Sequence, residues 1–261
     1  MTSTPTSAAT RGARITAVTS GKGGVGKTFV SANLAACLAR QGARVLVLDA
    51  DLGLANLDVV LNLVARHTLH DVFTDKVPLR EAIVPAPGGF DVLLAGSGLI
   101  EYSRLTPEVR EQLLKVIDTV RPLYDHVILD TAAGISDVVL YTLSLADEIL
   151  LVVTTEPTSL TDAYATIKVL ATTQALRPLR LLVNQTGAAG QARGVRAQLQ
   201  RVVDHFVNPT LPQPLRLKLV GDVPLDPAAR QSIQTRQLLA EAQPGAPAAK
   251  AMAAAAVKLA E

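Results

Sequence analysis

Residues 21–28 have the residue types and the spacing needed to hold a phosphate chain. They read Gly-Lys-Gly-Gly-Val-Gly-Lys-Thr, which fits the pattern of two glycines separated by four residues, then lysine and a hydroxyl residue. Glycine lets backbone N–H groups converge on phosphate oxygens, and the positive end of a following helix strengthens the attraction. We therefore expect Lys27 to reach the β- and γ-phosphates of a nucleotide and the Thr28 hydroxyl to hold Mg²⁺. The predicted nucleotide-contacting residues of this stretch are Gly23, Gly24, Val25, Gly26, Lys27, Thr28 and Phe29.

An aspartate closes a second informative stretch, the apolar run Val-Ile-Leu-Asp at residues 127–130. A buried strand that ends in a carboxylate is the usual source of the acid near Mg²⁺ in phosphate-loop proteins, where the contact often passes through a water. Taken alone, the pattern could be an ordinary strand end. Because it lies downstream of the phosphate-binding motif, we predict that Asp130 contributes to a magnesium site.

Apolar segments on either side of the loop must position these residues. An apolar run at 15–18 precedes the loop and an apolar-periodic segment at 30–38 follows it, which is the strand–loop–helix context that the motif requires. Strands and helices then alternate, which predicts parallel pairing with right-handed crossovers. The sequence predicts an α/β fold: one P-loop NTPase domain at 14–243 with a mostly parallel, twisted sheet covered by helices on both faces. A mobile tail is expected at 1–13, and a break followed by an alanine-rich helix at 244–261.

Apolar periodicity and capping residues give the limits of the predicted elements. The predicted strands are 14–20, 43–48, 90–95, 126–130, 148–154, 179–183 and 215–220. The predicted helices are 28–41, 57–64, 70–73, 106–120, 135–145, 159–173, 190–206 and 227–242. Ligands are expected beyond the carboxyl ends of the strands.

Composition narrows the class of protein further. The 261 residues are 49% hydrophobic but only 3% aromatic, so the core must be built from alanine, valine, leucine and isoleucine, which suits a parallel sheet covered by helices. A net charge of +2 is too small to argue for a nucleic-acid or membrane partner. The one cysteine, Cys37, excludes an internal disulfide or a thiolate metal site within one chain. Neither a signal peptide nor a membrane span is visible in the sequence, so a cytoplasmic protein is expected, with peripheral placement at the cell pole or inner membrane left open.

Lys22 is the residue that an ordinary phosphate-binding loop does not need. With it, the motif Lys-Gly-Gly-Val-Gly-Lys-Thr resembles that of the deviant Walker A ATPases, the ParA/MinD superfamily. The resemblance implies ATP and Mg²⁺ as cofactors. It also implies that Lys22 reaches across a dimer interface to the ATP of the partner subunit, as an arginine finger does. A homodimer with ATP is therefore expected, and hydrolysis by the monomer should be slow.

The same resemblance assigns roles to residues near the predicted metal. The segment that begins Asp-Ala-Asp at residue 49 is similar to the first switch of the family, which implies that Asp51 orients or deprotonates the attacking water and that Asp49 supports the Mg²⁺ shell. The predicted metal-site residues are Thr28, Asp49, Asp51 and Asp130. Residues 131–137 resemble the second switch, with Gly134 near the γ-phosphate. The alternative for the paired acids is a turn with solvated carboxylates.

Adenine contacts are predicted at two places. Asn184, at the end of an apolar run, and Val223-Pro224 match positions where the family contacts the base. The alternative is ordinary turn chemistry, which asparagine and proline both favour.

Residues 133–136, 138–147 and 156–164 look most like the FlhG/FleN branch of the superfamily, MinD-like ATPases that set flagellar number and placement. The resemblance implies an ATP-dependent switch that regulates flagellar number, flagellar placement or flagellar gene expression. The expected partner is an FlhF-like GTPase or a FleQ-like transcription activator, although the Asp-Gln-Ala activator motif is missing from the amino terminus. MinD-like placement of the division site and ParA-like DNA partitioning are the alternatives.

Two surface interactions are expected to be weak. Val257 and Leu259 are, apart from Met252, the only bulky apolar residues of the final segment, whereas an interfacial helix needs several such side chains opposite basic ones. Weak or absent autonomous membrane binding is therefore expected. Residues 163–203 carry six basic residues and no acid, but a solvated helix face explains them, so direct DNA binding is not expected.

Overall fold

The computed structural model describes residues 12–53, 56–96, 104–173 and 177–261. Across these residues, eight strands form one sheet in the order β3-β4-β2-β5-β1-β6-β7-β8. The strands are β1 (Arg14–Thr19), β2 (Val45–Ala50), β3 (Ile83–Pro85), β4 (Asp91–Leu93), β5 (His126–Thr131), β6 (Glu148–Val153), β7 (Leu179–Thr186) and β8 (Lys218–Pro224). Only the pairing of β3 with β4 is antiparallel within this sheet. The predicted α/β class with a mostly parallel sheet is confirmed.

Helices cover both faces of the sheet. Those of the described chain are α1 (Lys27–Arg40), α2 (Leu57–Leu61), α3 (Leu69–Phe73), α4 (Leu79–Ala82), α5 (Pro107–Val120), α6 (Asp137–Ser144), α7 (Pro157–Thr173), α8 (Gln191–Phe206), α9 (Pro227–Gln234), α10 (Leu239–Ala242) and α11 (Pro247–Ala260), with a short 3₁₀ turn at Asn208–Thr210. In β2, Leu46 and Leu48 face the hydrophobic layer that contains α5 to α8, and Val45 and Val47 face the layer that contains α1, α10 and α11. Both faces of the strand are therefore buried, which explains its uninterrupted apolar sequence.

The sheet brings the predicted site residues to one edge. Strand β5 lies between β2 and β1, and all three run parallel. Asp49 of β2 is in register with Asp130 of β5, and Val18 of β1 lies beside Asp130 on its other side. The carboxyl end of β1 leads into residues 21–28, so the loop and both acids meet where ligands bind in parallel sheets.

Two predicted elements differ from the structure near the carboxyl end. Strand β8 is shifted towards the carboxyl end and includes Val223 and Pro224, which places them on the sheet. The helix predicted over 227–242 is two helices, α9 and α10. Helix α9 ends because Arg236 adopts a left-handed conformation (φ 52°), while the Gln237 N–H donates to the Ser232 carbonyl oxygen. This arrangement normally takes glycine after the helix, so the sequence held no stop signal there.

Strand β4 of the edge hairpin lies within the strand predicted at 90–95, but its partner β3 and the preceding helix α4 were missed. Helix α4 and strand β3 are four and three residues long, too short to give a periodic signal.

Helix α11 belongs to the same core as the rest of the domain. Its buried side chains are Ala248, Ala249, Met252, Ala255, Ala256 and Leu259. The Arg14 guanidinium donates to the Leu259 carbonyl oxygen at 2.7 Å, and Arg180 donates to the Lys258 carbonyl. Arg180 is buried and pairs with Glu148 at 2.6 Å. These hydrogen bonds attach the last turn of α11 to Arg14 of β1 and to Arg180 of β7, and so to the sheet. Within the described residues, none of the helices combines the length and apolar character needed to cross a bilayer.

Candidate functional site

Two of the four glycines of the loop, Gly21 and Gly26, are required by close packing against neighbouring elements. Gly26 adopts a left-handed conformation (φ 92°), and a Cβ there would lie 2.6 Å from Asn184 Nδ2. A Cβ on Gly21 would lie 2.3 Å from the backbone carbonyl of Asp162 in α7. Helix α1 begins at Lys27, immediately after the loop. Its unpaired N–H groups and positive end therefore face the space that the loop encloses, as a phosphate site requires.

Ser20 connects the loop, Lys27 and Gly134. Lys27 Nζ donates to Ser20 Oγ at 2.9 Å, and Ser20 Oγ donates to the Lys22 carbonyl oxygen at 2.7 Å. The N–H of Gly134 donates to the Ser20 carbonyl oxygen at 2.9 Å. Sequence reasoning did not select Ser20, whose only signal is its position directly before the motif.

The ammonium group of Lys27 is partly buried and lies near carboxylates. Burial lowers the pKa of Lys27, while the nearby carboxylates of Asp130 and Asp51 act in the opposite direction. An added anion such as a phosphate chain would therefore be favourable, because it stabilises an ammonium group that has lost part of its hydration.

Two buried carboxylates lie beside each other at the ends of β2 and β5. Ser31 Oγ donates to Asp130 Oδ1 at 2.8 Å, and burial raises the pKa of Asp130 to about 6. The N–H of Asp51 donates to Asp49 Oδ1 at 3.1 Å, but Asp49 Oδ2 is buried without a hydrogen-bond partner in the described part of the chain. Burial, and then the charge of Asp130, raise the pKa of Asp49 well above its usual range. A cation would stabilise both carboxylates in their ionised form.

These residues fit Mg²⁺ as part of a nucleotide complex. Thr28, whose hydroxyl hydrogen-bonds Asp130, and the two aspartates are hard oxygen donors, which Mg²⁺ prefers. Among the residues that the structure describes, no three His, Cys, Asp or Glu side chains form a group able to hold an ion alone. That suits Mg²⁺, which keeps several waters and takes its remaining oxygens from phosphates. The Thr28 hydroxyl and Asp130 would hold the ion. Asp49, which is in register with Asp130 on the neighbouring strand, would support this arrangement.

Replacing Asp49 with asparagine is expected to stabilise the protein in EDTA at pH 8. A carboxyl whose folded-state pKa is raised supports folding when protonated, and that support is lost as pH rises through the folded-state pKa. Asparagine cannot ionise, so the gain should grow from pH 5 to pH 8, with about 2–4 °C in Tm for each kcal/mol recovered. Thermal unfolding at the two pH values measures it. An Asp49→Asn protein that melts at or below the wild-type temperature at pH 8 would show that the Asp49 carboxylate is not under strain.

Lys22 is held by the start of α7. Its ammonium group donates to Glu156 Oε2 at 2.8 Å and to Thr158 Oγ1 at 3.0 Å. Both partners are more than 130 residues away in sequence, and the ion pair is partly exposed to solvent. Apart from the family resemblance of the segment around Glu156, no pattern in the sequence indicates this pairing.

A cavity of about 430 Å³ lies beside the loop, on the side of β7 and β8. Five residues predicted to bind the cofactor line it: Gly26, Phe29, Asn184, Val223 and Pro224. Asn184 Nδ2 donates to the Val25 carbonyl oxygen at 2.8 Å, and Asn184 Oδ1 accepts from the Gln185 N–H at 3.0 Å. Asn184 therefore holds the phosphate-binding loop against β7 through this hydrogen bond. It also lines the cavity.

Sequence reasoning missed the remaining wall of this cavity. Helix α9 supplies Ala229, Arg230, Ile233 and Gln234. An amphipathic pattern shows that a helix has two faces, but not which ligand or element the exposed face meets. The lining is predominantly apolar with a few polar groups, as is usual for small-molecule sites.

Comparison with known proteins agrees with this arrangement. Residues 13–179 match a family model described as an AAA domain. The chain is 41% identical to the antiactivator FleN of Pseudomonas aeruginosa over 94% of this chain and 86% of FleN. It is 36% identical to the septum site-determining protein MinD of Bacillus subtilis over 72% of this chain and 71% of that protein.

A solved structure has the same fold. It is the septum site-determining protein MinD of Pyrococcus horikoshii complexed with Mg-ADP, with a TM-score of 0.74 and 26% identity over 95% of this chain and 96% of that one. Together with the motif at residues 21–28, these similarities place the chain: it belongs to the ParA/MinD family of P-loop ATPases and is similar to FleN within it.

Proposed function

We propose that this protein is an ATP-dependent dimerising switch that regulates flagellar number, flagellar placement or flagellar gene expression. The observation that carries the proposal is the similarity to the antiactivator FleN, at 41% identity over nearly the whole chain. The protein hydrolyses ATP to ADP and phosphate, as expected of its family. Because the related protein FleN is an antiactivator, a transcription activator is favoured as the partner, in preference to an FlhF-like GTPase.

ATP and Mg²⁺ are the cofactors that the site fits. The related MinD structure contains Mg-ADP, and here the loop, Lys27 and the cavity offer places for the phosphates and the base. Mg²⁺, when bound, supplies charge neutralisation and a fixed arrangement of phosphate oxygens. The Thr28 hydroxyl and Asp130 would hold it, while Lys27 binds the phosphate chain.

Asp51 is the proposed base. It follows β2 directly, and its charge acts on both Lys27 and Asp130, so it lies within electrostatic reach of the phosphate site. Its carboxylate would orient the attacking water and accept a proton from it. Phosphoryl transfer depends mainly on such positioning and on charge stabilisation.

Lys22 is proposed to act on the ATP of a partner subunit. In the single chain its ammonium group pairs with Glu156, and a partly exposed ion pair of this kind contributes about 0–1 kcal/mol. The triphosphate of a second subunit is a stronger anion, so it would draw Lys22 away from Glu156. Hydrolysis in the monomer is then slow, because the site lacks this second cation.

Deletion of the gene tests the biological proposal directly. Loss of an antiactivator-like switch should increase the number of flagella per cell, counted by electron microscopy, and a plasmid copy should restore the normal number. An Asp51→Ala copy serves as the matched control for the need for hydrolysis. Unchanged flagella together with displaced division septa would contradict the proposal and favour MinD-like placement of the division site, which the similarity to MinD keeps as the second candidate.

The protein is expected to bind anionic vesicles weakly or not at all. Leu259 is buried in the domain, which leaves Val257, about half exposed, as the one bulky apolar side chain that α11 offers to a membrane. Lys250 and Lys258 would add roughly 1 kcal/mol each near an anionic surface. Vesicle co-sedimentation with ADP and with ATP measures the binding, since dimerisation would double these contributions.

The matched control for that experiment is a surface substitution. Ending the chain at Pro244 would remove the buried face of α11 and damage the fold, whereas Val257→Glu leaves the core intact. Strong sedimentation of the wild type that disappears in Val257→Glu would show that α11 binds membranes.

A further inference from the structure

One carboxylate joins the amino-terminal ends of two helices. Asp226, between β8 and α9, is 9% exposed. Its Oδ1 accepts a hydrogen bond from the Ala228 N–H at 2.9 Å, and its Oδ2 accepts one from the Ala248 N–H at 3.0 Å. Asp226 therefore caps α9 and α11 at the same time, and it links segments 22 residues apart. Each bond satisfies an N–H group that the helix itself leaves without a partner.

Helix α9 depends on such external support. It has only eight residues, and isolated helices of this length are not stable in water. One of its faces forms a wall of the cavity beside the phosphate-binding loop. Asp226 itself also lines this cavity, but both of its carboxylate oxygens are taken by the two caps. The cap at its beginning therefore influences where that wall stands.

Helix α11 is fixed to the element that carries the loop. Its buried residues pack in the same hydrophobic layer as α1, and its last turn is held by Arg14. The segment between α9 and α11 is also fastened to α1, because the Ala240 N–H donates to Asn33 Oδ1 at 2.9 Å. Since α1 begins at the loop, α11 has a defined position relative to the phosphate site.

We propose that Asp226 is a positioning residue for the nucleoside part of the nucleotide. By capping α9 and α11 together, it holds the α9 wall of the cavity at a fixed distance from the phosphate-binding loop. Loss of this link moves the wall and weakens contacts to base and ribose, while the loop, Lys27 and Thr28 keep their contacts to the phosphates. The inference rests on the proposed function in one respect: the cavity must receive the nucleoside of ATP.

Two substitutions of Asp226 remove either one or both of its cap hydrogen bonds. In Asp226→Asn, one carbonyl oxygen remains, so only one helix can keep its cap, and in Asp226→Ala both caps are lost. Isothermal calorimetry with Mg-ATP and with Mg-tripolyphosphate, which has no nucleoside, measures the two affinities. The Kd for ATP should rise by about fivefold in Asp226→Asn and further in Asp226→Ala. The Kd for tripolyphosphate should stay at the wild-type value in both.

The matched control is Thr106→Ala. Thr106 Oγ1 accepts from the Val109 N–H at the start of α5, and Thr106 does not line the cavity, so this variant loses a helix cap elsewhere. Its ATP affinity should equal that of the wild type, and circular dichroism should show all variants folded. Equal losses for ATP and tripolyphosphate, an unchanged ATP affinity in Asp226→Ala, or an equal loss in Thr106→Ala would each overturn the inference. A folded wild type that binds neither compound would instead overturn the proposed function.

Discussion

Replacing Lys27 with alanine is expected to weaken ATP binding by roughly 100-fold or more, because it removes the partly buried cation that faces the phosphate chain. The side chain is already positioned by Ser20, at 2.9 Å, so little ordering is required when the nucleotide arrives. Its charge also balances Asp130 and Asp51. Without it, a triphosphate would enter a site in which carboxylates dominate.

Calorimetry with Mg-ATP measures this effect, and Lys22→Ala is the matched control. Lys22 lies in the same loop but pairs with Glu156 and Thr158, so its removal should leave the ATP affinity of the monomer within a few-fold of the wild type. Thermal unfolding without nucleotide should show that both variants are folded. Equal affinities for Lys27→Ala and wild type would mean that the phosphates bind elsewhere.

Part of this site could be predicted from the sequence because it is local. Residues 21–28 are contiguous, and their glycine spacing, Lys27, Thr28 and the flanking strand and helix together predict a loop that accepts phosphates. Asp130 was predicted from a strand end and Asp49 from the resemblance to the first switch of the family, and parallel pairing brings them into register. The structure shows where these side chains lie, while their catalytic roles remain predictions.

Other features depend on contacts between distant parts of the chain. Lys22 and Glu156 are 134 residues apart, and Asn33 and Ala240 are 207 apart, so no periodicity or spacing could pair them. The double cap at Asp226 is of the same kind. The end of α9 escaped prediction for a different reason, because a left-handed Arg236 occupies the position where glycine would have marked the stop.

Hydrolysis should fall by about a thousandfold or more in Lys22→Ala, by analogy with the loss of an arginine finger. Asp51→Ala should fail to hydrolyse ATP as well, while still binding it. In the presence of ATP and Mg²⁺, light scattering should show a dimer for Asp51→Ala, because its Lys22 is intact, and a monomer for Lys22→Ala. Phosphate release measures the rate. A Lys22→Ala protein that hydrolyses ATP as fast as the wild type would remove Lys22 from the mechanism.

Mixing these two inactive variants tests most directly whether Lys22 acts on the ATP of the other subunit. In a mixed dimer, the Lys22→Ala subunit keeps its own Asp51 and receives Lys22 from the Asp51→Ala subunit, which completes one site. Phosphate release should recover to at most about one half of the wild-type rate in an equimolar mixture, because each mixed dimer has one complete site of two and Lys22→Ala forms no dimers with itself. A mixture of Lys22→Ala with the double variant Lys22→Ala/Asp51→Ala, in which neither subunit supplies Lys22, serves as the control and should stay inactive. Recovery in the first mixture alone is the predicted result, and no recovery, although both variants bind ATP, would contradict action between subunits.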